Sequence, residues 1–131
     1  MKDLIYDEFQ NAVEDVTLRH STLLDILTKL SQAMADSNRA VAKSITTCGC
    51  LSLDTRKPVM PEDTSYEDLK NYPHDHLEGR LCPACQKAVE EELGNTFFYM
   101  ASLCNKLDLN IYDILLKKYK DITTLGKYSL Y

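Results

Sequence analysis

The sequence predicts an all-α protein, and three observations carry that expectation. Between Leu4 and Ile45 there is neither glycine nor proline. Apolar residues in that stretch recur at steps of three and four, the period of one helix face and not the alternation of a strand. The same period returns after Pro83 and continues past Ile111. At 131 residues the chain has room for one domain, residues 1–131. A chain of this size buries roughly 65–70% of its unfolded surface, enough for a core.

The first helix is expected over Leu4/Ile5, Phe9, Ala12/Val13 and Val16. A second restarts at Ser21-Thr22, with Ser21 placed to cap the turn that follows. Its apolar positions Leu23, Leu27, Leu30, Met34 and Val41 have a heptad-like spacing, so part of this stripe would face another subunit. From Thr46 the character changes. Thr46-Thr47-Cys48-Gly49-Cys50 ends the helix in a turn, Leu51-Ser52-Leu53 alternates as a short strand does, and Pro58, Pro61 and Pro73 mark a loop. Thr64 to Leu69 would add one or two helical turns, capped by Thr64 or Ser65. So long a connection needs an anchor.

Pro83 suits the first turn of a helix over Ala84–Lys106, whose apolar face is Ala88, Val89, Leu93, Phe97, Met100, Leu103/Cys104 and Leu107. Asp108-Leu109-Asn110 is a connector, with Asn110 capping a last helix over Ile111–Ile122. Ile111, Ile114/Leu115, Tyr119 and Ile122 are its expected buried stripe, and Gly126 would stop it.

Composition narrows the function classes. Apolar residues at 44% and charged residues at 27% are globular proportions, which excludes wholesale disorder. No run approaches 18 consecutive apolar residues, and Met1-Lys2-Asp3-Leu4 does not open a signal peptide, so a cytoplasmic protein without a membrane partner is expected. Fifteen basic against twenty acidic side chains leave a net charge of −5, which disfavours binding to nucleic acid or an anionic surface. Lys117, Lys118, Lys120 and Lys127 cluster locally, but Asp54, Glu62, Asp63, Glu67 and Asp68 lie between the cysteine motifs, so nucleic acid is not the expected partner.

Four of the five cysteines form two close pairs, Cys48-Gly49-Cys50 and Cys82-Pro83-Ala84-Cys85, with thirty-one residues (51–81) between them. Zinc takes four thiolates at tetrahedral corners, and closely spaced cysteines turn two sulfurs toward one ion. Glycine between the first two permits the tight backbone, and the second pair opens a helix whose N–H groups favour thiolate charge. A structural zinc on Cys48, Cys50, Cys82 and Cys85 would also anchor the long middle segment. The alternatives are a disulfide, disfavoured in a cytosolic chain, and a redox pair, which lacks a thioredoxin-like setting. His74 and His76 would be substitute ligands, and Cys104 belongs to an apolar helix face.

A second candidate is Glu90-Glu91-Glu92-Leu93-Gly94-Asn95, where Glu92 and Asn95 share a helix face suited to a divalent cation. The plain alternative is an acidic helix N-terminus, or a tightly packed helix with Gly94 allowing close approach. Glu91-Glu92-Leu93-Gly94-Asn95-Thr96-Phe97-Phe98-Tyr99-Met100, followed by Leu103-Cys104-Asn105-Lys106-Leu107-Asp108-Leu109, resembles a signature helix of MazG-like nucleoside triphosphate pyrophosphohydrolases. That signature reads Glu-Glu-Leu-Gly-Asp and then an apolar helix ending in Leu-x-Leu. Lys29 to Val41 is similar to the family's preceding helix, usually Lys-Leu-x-Glu-Glu-x-Gly-Glu.

The resemblance implies an all-α MazG-like helical bundle, a homodimer or tighter assembly, and Mg²⁺-dependent cleavage of a nucleoside triphosphate between its α- and β-phosphates. It also implies that the zinc-bearing segment 46–85 is inserted between two metal-binding helices, as in a zinc-containing subgroup. Carried over position by position, Asp36, Glu91 and Glu92 would hold Mg²⁺, with Gln32 and Asn95 lending amide oxygens. Ala33 stands where the family has a carboxylate, and Asn95 where it has Asp. The expectation is a degenerate carboxylate site. Its rival is a non-catalytic interaction or regulatory protein on the same scaffold.

Overall fold

The computed structural model describes residues 2–17, 22–57, 62–63, 65 and 75–125. Most of them are helical, as the apolar period predicts. Four α-helices are present among them: α1 (Lys2–Thr17), α2 (Leu23–Lys43), α3 (Pro83–Lys106) and α4 (Ile111–Leu125). Two short strands, β1 (Leu51–Leu53) and β2 (Leu77–Gly79), complete the order. The chain divides into two compact units, Met1–Asp36 with Glu92–Tyr131, and Ser37–Glu91. No helix among the described residues is long and apolar enough to cross a membrane.

In the first unit the helix ends are fixed by side chains. The Thr22 hydroxyl accepts the Asp25 N–H at 3.1 Å, and the Thr22 carbonyl accepts the Ile26 N–H at 3.0 Å. The cap of α2 is therefore Thr22, one position after the expected Ser21, which lies outside the described residues. Such a cap contributes about 1 kcal/mol. α3 ends as the Leu109 N–H donates to the Cys104 carbonyl (2.8 Å) and the Asp108 N–H to the Asn105 carbonyl (3.4 Å). Asp108 takes the left-handed conformation (φ 57°) that this paired closure requires. Asn110 then caps α4 as expected, its side-chain oxygen accepting the Asp113 N–H at 3.0 Å. The expected stop at Gly126 lies outside the described residues.

α1 packs against α4, and one buried amide joins α1 to the turn before α4. Gln10, 7% exposed, donates from Nε2 to the Leu109 carbonyl (2.6 Å) and accepts the Ile111 N–H on Oε1 (2.9 Å). Asn105 returns a bond to the Gln10 carbonyl at 3.0 Å. The Leu109 carbonyl and the Ile111 N–H lie where one helix ends and the next begins, so they have no partners within a helix.

The expected apolar faces are buried only in part. On α3 the buried residues are Val89, Ala101, Ser102 and Cys104, while Leu93, Phe97, Met100 and Leu107 are exposed. On α4 no residue is buried, and Ile114, Leu115, Tyr119 and Ile122 face outward. On α2 the buried residues are Ile26, Ala33 and Ser37; Leu23, Leu27, Met34 and Val41 are exposed, so this chain does not cover the heptad-like stripe expected to face another subunit. Helical period marks an apolar face but not what covers it.

The second unit closes the C-terminal end of α2. Ser44–Cys48 form a single wider π-helical turn, ended by Gly49 in the left-handed conformation (φ 81°) with its N–H on the Ser44 carbonyl (2.9 Å). β1, the expected strand, pairs antiparallel with β2, Leu51 opposite Gly79 and Leu53 opposite Leu77. β2 lies in a segment that reads as loop, because Leu-Glu-Gly carries no strand pattern of its own. The helical turns expected at Thr64–Leu69 lie, except for Ser65, outside the described residues.

Candidate metal centre

The centre is built at three points along the second unit. Cys48 ends the π-helical turn, and Cys50 precedes β1 across the left-handed Gly49. Gly79 closes β2 three positions before Cys82. There φ is 88°, and a Cβ would collide with the Cys50 carbonyl oxygen. Only glycine lets the two strands approach so closely beside the cysteines.

Cys82 is the residue before Pro83, the first of α3. Proline has no N–H to leave unsatisfied at that position, and its φ is already helical. The Cys85 N–H points back to Cys82 Sγ at 3.4 Å, and the Gln86 N–H to the Cys82 carbonyl at 2.8 Å. A cysteine thus does the work of a helix cap.

The four sulfurs converge. Cys48, Cys50, Cys82 and Cys85 place their Sγ atoms within 4.8 Å of one another, and Cys48 Sγ to Cys82 Sγ is 3.8 Å. Zinc–sulfur bonds of ~2.3 Å in a tetrahedron set sulfur–sulfur edges of about 3.8 Å, which the Cys48–Cys82 pair matches, and the four sulfurs are close enough together to hold one metal ion. All five cysteines are free thiols, which leaves the disulfide alternative without a bond. Cys48 is exposed and the other three are half-buried. Four soft donors leave no coordination position for substrate, which is the arrangement of a structural metal.

The electrostatics of the metal-free cluster are uneven. Cys82 is lowered to about 7, first by the Cys85 backbone N–H and then by the Cys85 thiol. Cys85 is pushed up to about 12, first by its hydrogen bond with Cys82 and then by that with Cys50. The Cys50 thiol donates to the Ser44 carbonyl at 3.7 Å. Zinc would replace these shared protons with one divalent charge.

The substitute ligands have other roles or lie out of view. His76 has φ 65°, its carbonyl accepts the Asp54 N–H (2.7 Å) and its Nδ1 accepts the Arg56 N–H (3.3 Å). It therefore ties the ends of the hairpin together. His74 lies outside the described residues. Cys104 is buried in the first unit, where desolvation pushes its thiol up. Two supports of the centre were not singled out from the sequence, Gly79 and the fully buried Ser44. A glycine just upstream of Cys82 was the only signal for the first, and nothing marked the second.

The acidic positions sit on the two long helices. Gln32 and Asp36 are on α2, and Glu91, Glu92 and Asn95 on α3. Asp36 and Glu92 are half-buried, and Gln32, Glu91 and Asn95 are exposed. Ala33, 4% exposed, turns inward and offers no donor. Oxygen donors of this kind suit Mg²⁺, but Ala33 and Asn95 occupy two positions where the resemblance calls for carboxylates. Among the described residues the four cysteines are the one group of three or more Cys, His, Asp or Glu side chains close enough to share an ion. Compared with known proteins, the chain matches no family model, no curated protein and no solved structure.

Proposed function

We propose that this chain is a zinc-stapled, homodimeric helical protein related to MazG-like nucleoside triphosphate pyrophosphohydrolases, carrying a degenerate carboxylate site. The observation that carries the zinc assignment is the convergence of four thiols from both ends of the middle segment. A cytoplasmic setting, where thiols stay reduced, suits four thiolate ligands. The nucleotide part rests on the Glu-Glu-Leu-Gly-Asn helix and on Asp36 in the preceding helix.

In this proposal a bound Mg²⁺ neutralises triphosphate charge and is held by Asp36, Glu91 and Glu92, with Gln32 and Asn95 lending amide oxygens. The test is pyrophosphate release from canonical and modified nucleoside triphosphates with Mg²⁺ or Mn²⁺, run beside the double variant Asp36→Ala/Glu92→Gln. Turnover that disappears in the variant supports the enzyme.

The second reading, a non-catalytic interaction or regulatory protein on the same scaffold, is favoured by Ala33 and Asn95. Both stand at positions where the resemblance calls for carboxylates. Folded, zinc-loaded protein that turns over no nucleotide selects it.

A further inference from the structure

The first unit carries an apolar groove of ≈ 460 Å³ between α1, α3 and α4. Ile5, Phe9, Phe97, Met100, Ile114 and Leu115 line it, and each is 38–57% exposed. Tyr119 and Ile122, also exposed, carry the strip farther along α4. At ~150–250 Å² per large apolar side chain, these eight leave roughly 600–1,000 Å² uncovered. Monomers seldom show a patch larger than ~300–600 Å². One partner in a standard interface contributes about 800 Å².

We infer that a second copy of this chain covers the groove, same face to same face, so that α1, α3 and α4 of each protomer form the homodimer interface. This inference rests on the homodimer reading proposed above and assigns it a surface.

Two features select a second copy over another partner. No residue lining the groove is charged. Two copies that each carry −5 meet with least repulsion where neither presents a charge, whereas a partner chosen by charge would find nothing to pair with. The face also holds both halves of a self-complementary contact. Gly94 leaves open space on the helix, with no atom within 4 Å of where its Cβ would be, and Phe97, three positions on, is 56% exposed. A two-fold interface needs knob and recess on one surface.

The test is sedimentation of the full zinc-loaded chain over a wide concentration range, with Phe97→Glu and Ile114→Glu against Leu24→Glu on α2. The wild type should be a dimer. Each groove variant should weaken it ~100-fold or more, since a charge would be buried unpaired. Leu24→Glu, 75% exposed in the wild type, should leave the dimer intact.

Where a groove variant fails to fold, a photo-crosslinking benzoylphenylalanine at position 97 gives the answer on the near-native chain. It should link to α1, α3 or α4 of the second copy. A monomeric wild type overturns both the homodimer reading and this surface. A dimer that survives both charge variants, or that crosslinks elsewhere, overturns the surface alone.

Discussion

Cys48 and Cys82 stand thirty-four positions apart in sequence, yet their sulfurs lie 3.8 Å from each other. Among the described residues of the intervening segment, three on each strand are paired. A metal that binds both ends converts this open connection into a closed one. Its binding free energy then becomes folding free energy for Ser37–Glu91.

Cys82→Ser removes a ligand and the sulfur that accepts the Cys85 N–H. The variant should lose its zinc and melt ~10 °C or more below the wild type, because a structural zinc contributes several kcal/mol. Full zinc content with unchanged melting would refute the four-cysteine assignment.

The thiols of the metal-free chain should differ in reactivity. Cys82, lowered to about 7, should alkylate first, with a midpoint near that pH, and Cys85, pushed up to about 12, and buried Cys104 last. Mass spectrometry after timed iodoacetamide labelling reads the order. On stability Cys82 acts oppositely to Cys85 and Cys104. Cys82 stabilises the metal-free fold above the ordinary thiol value of 9.0, and this is lost as pH falls through about 7. Cys104 holds its proton in the folded state, so its contribution is full below 9.0 and declines as pH rises beyond it. In the zinc-loaded protein Cys104→Ala should flatten that alkaline decline.

The two left-handed glycines should not be equivalent. Gly49→Ala meets no neighbour within 4 Å and should cost only the conformational term, about 1–2 kcal/mol. Gly79→Ala adds a clash with the Cys50 backbone and should cost ~3 kcal/mol or more, with weaker zinc retention. Denaturant titration with a competing chelator measures both.

Gln10→Ala should destabilise the first unit by about 2–4 kcal/mol, because it strips partners from the Leu109 carbonyl and the Ile111 N–H together. Zinc content should not change, since the centre is built entirely from the other unit. Calorimetry and metal analysis on one sample separate the two effects.

The sequence carried the helices, the Asn110 cap and the cysteine set because each depends on short-range spacing. Pro83 and Asn110 act within one turn, and a Cys-x-Cys or Cys-x-x-Cys pair needs no distant information to point at one ion. β2 and the Gln10 bridge were not legible, because their partners lie far off in sequence. Leu77–Gly79 is a strand only beside Leu51–Leu53, and Gln10 finds its acceptor ninety-nine positions away. Val89 and Cys104 of the α3 face are buried, but the rest of that face and the α4 stripe are exposed for a related reason: an apolar stripe does not say whether its own chain or another covers it.

The central claim is the zinc, and metal analysis with zinc-edge X-ray absorption on protein purified without added metal tests it most directly. One zinc per chain surrounded by four sulfurs at ~2.3 Å is the expected result. Metal-free protein with five titratable thiols, or a shell that includes nitrogen, would contradict it.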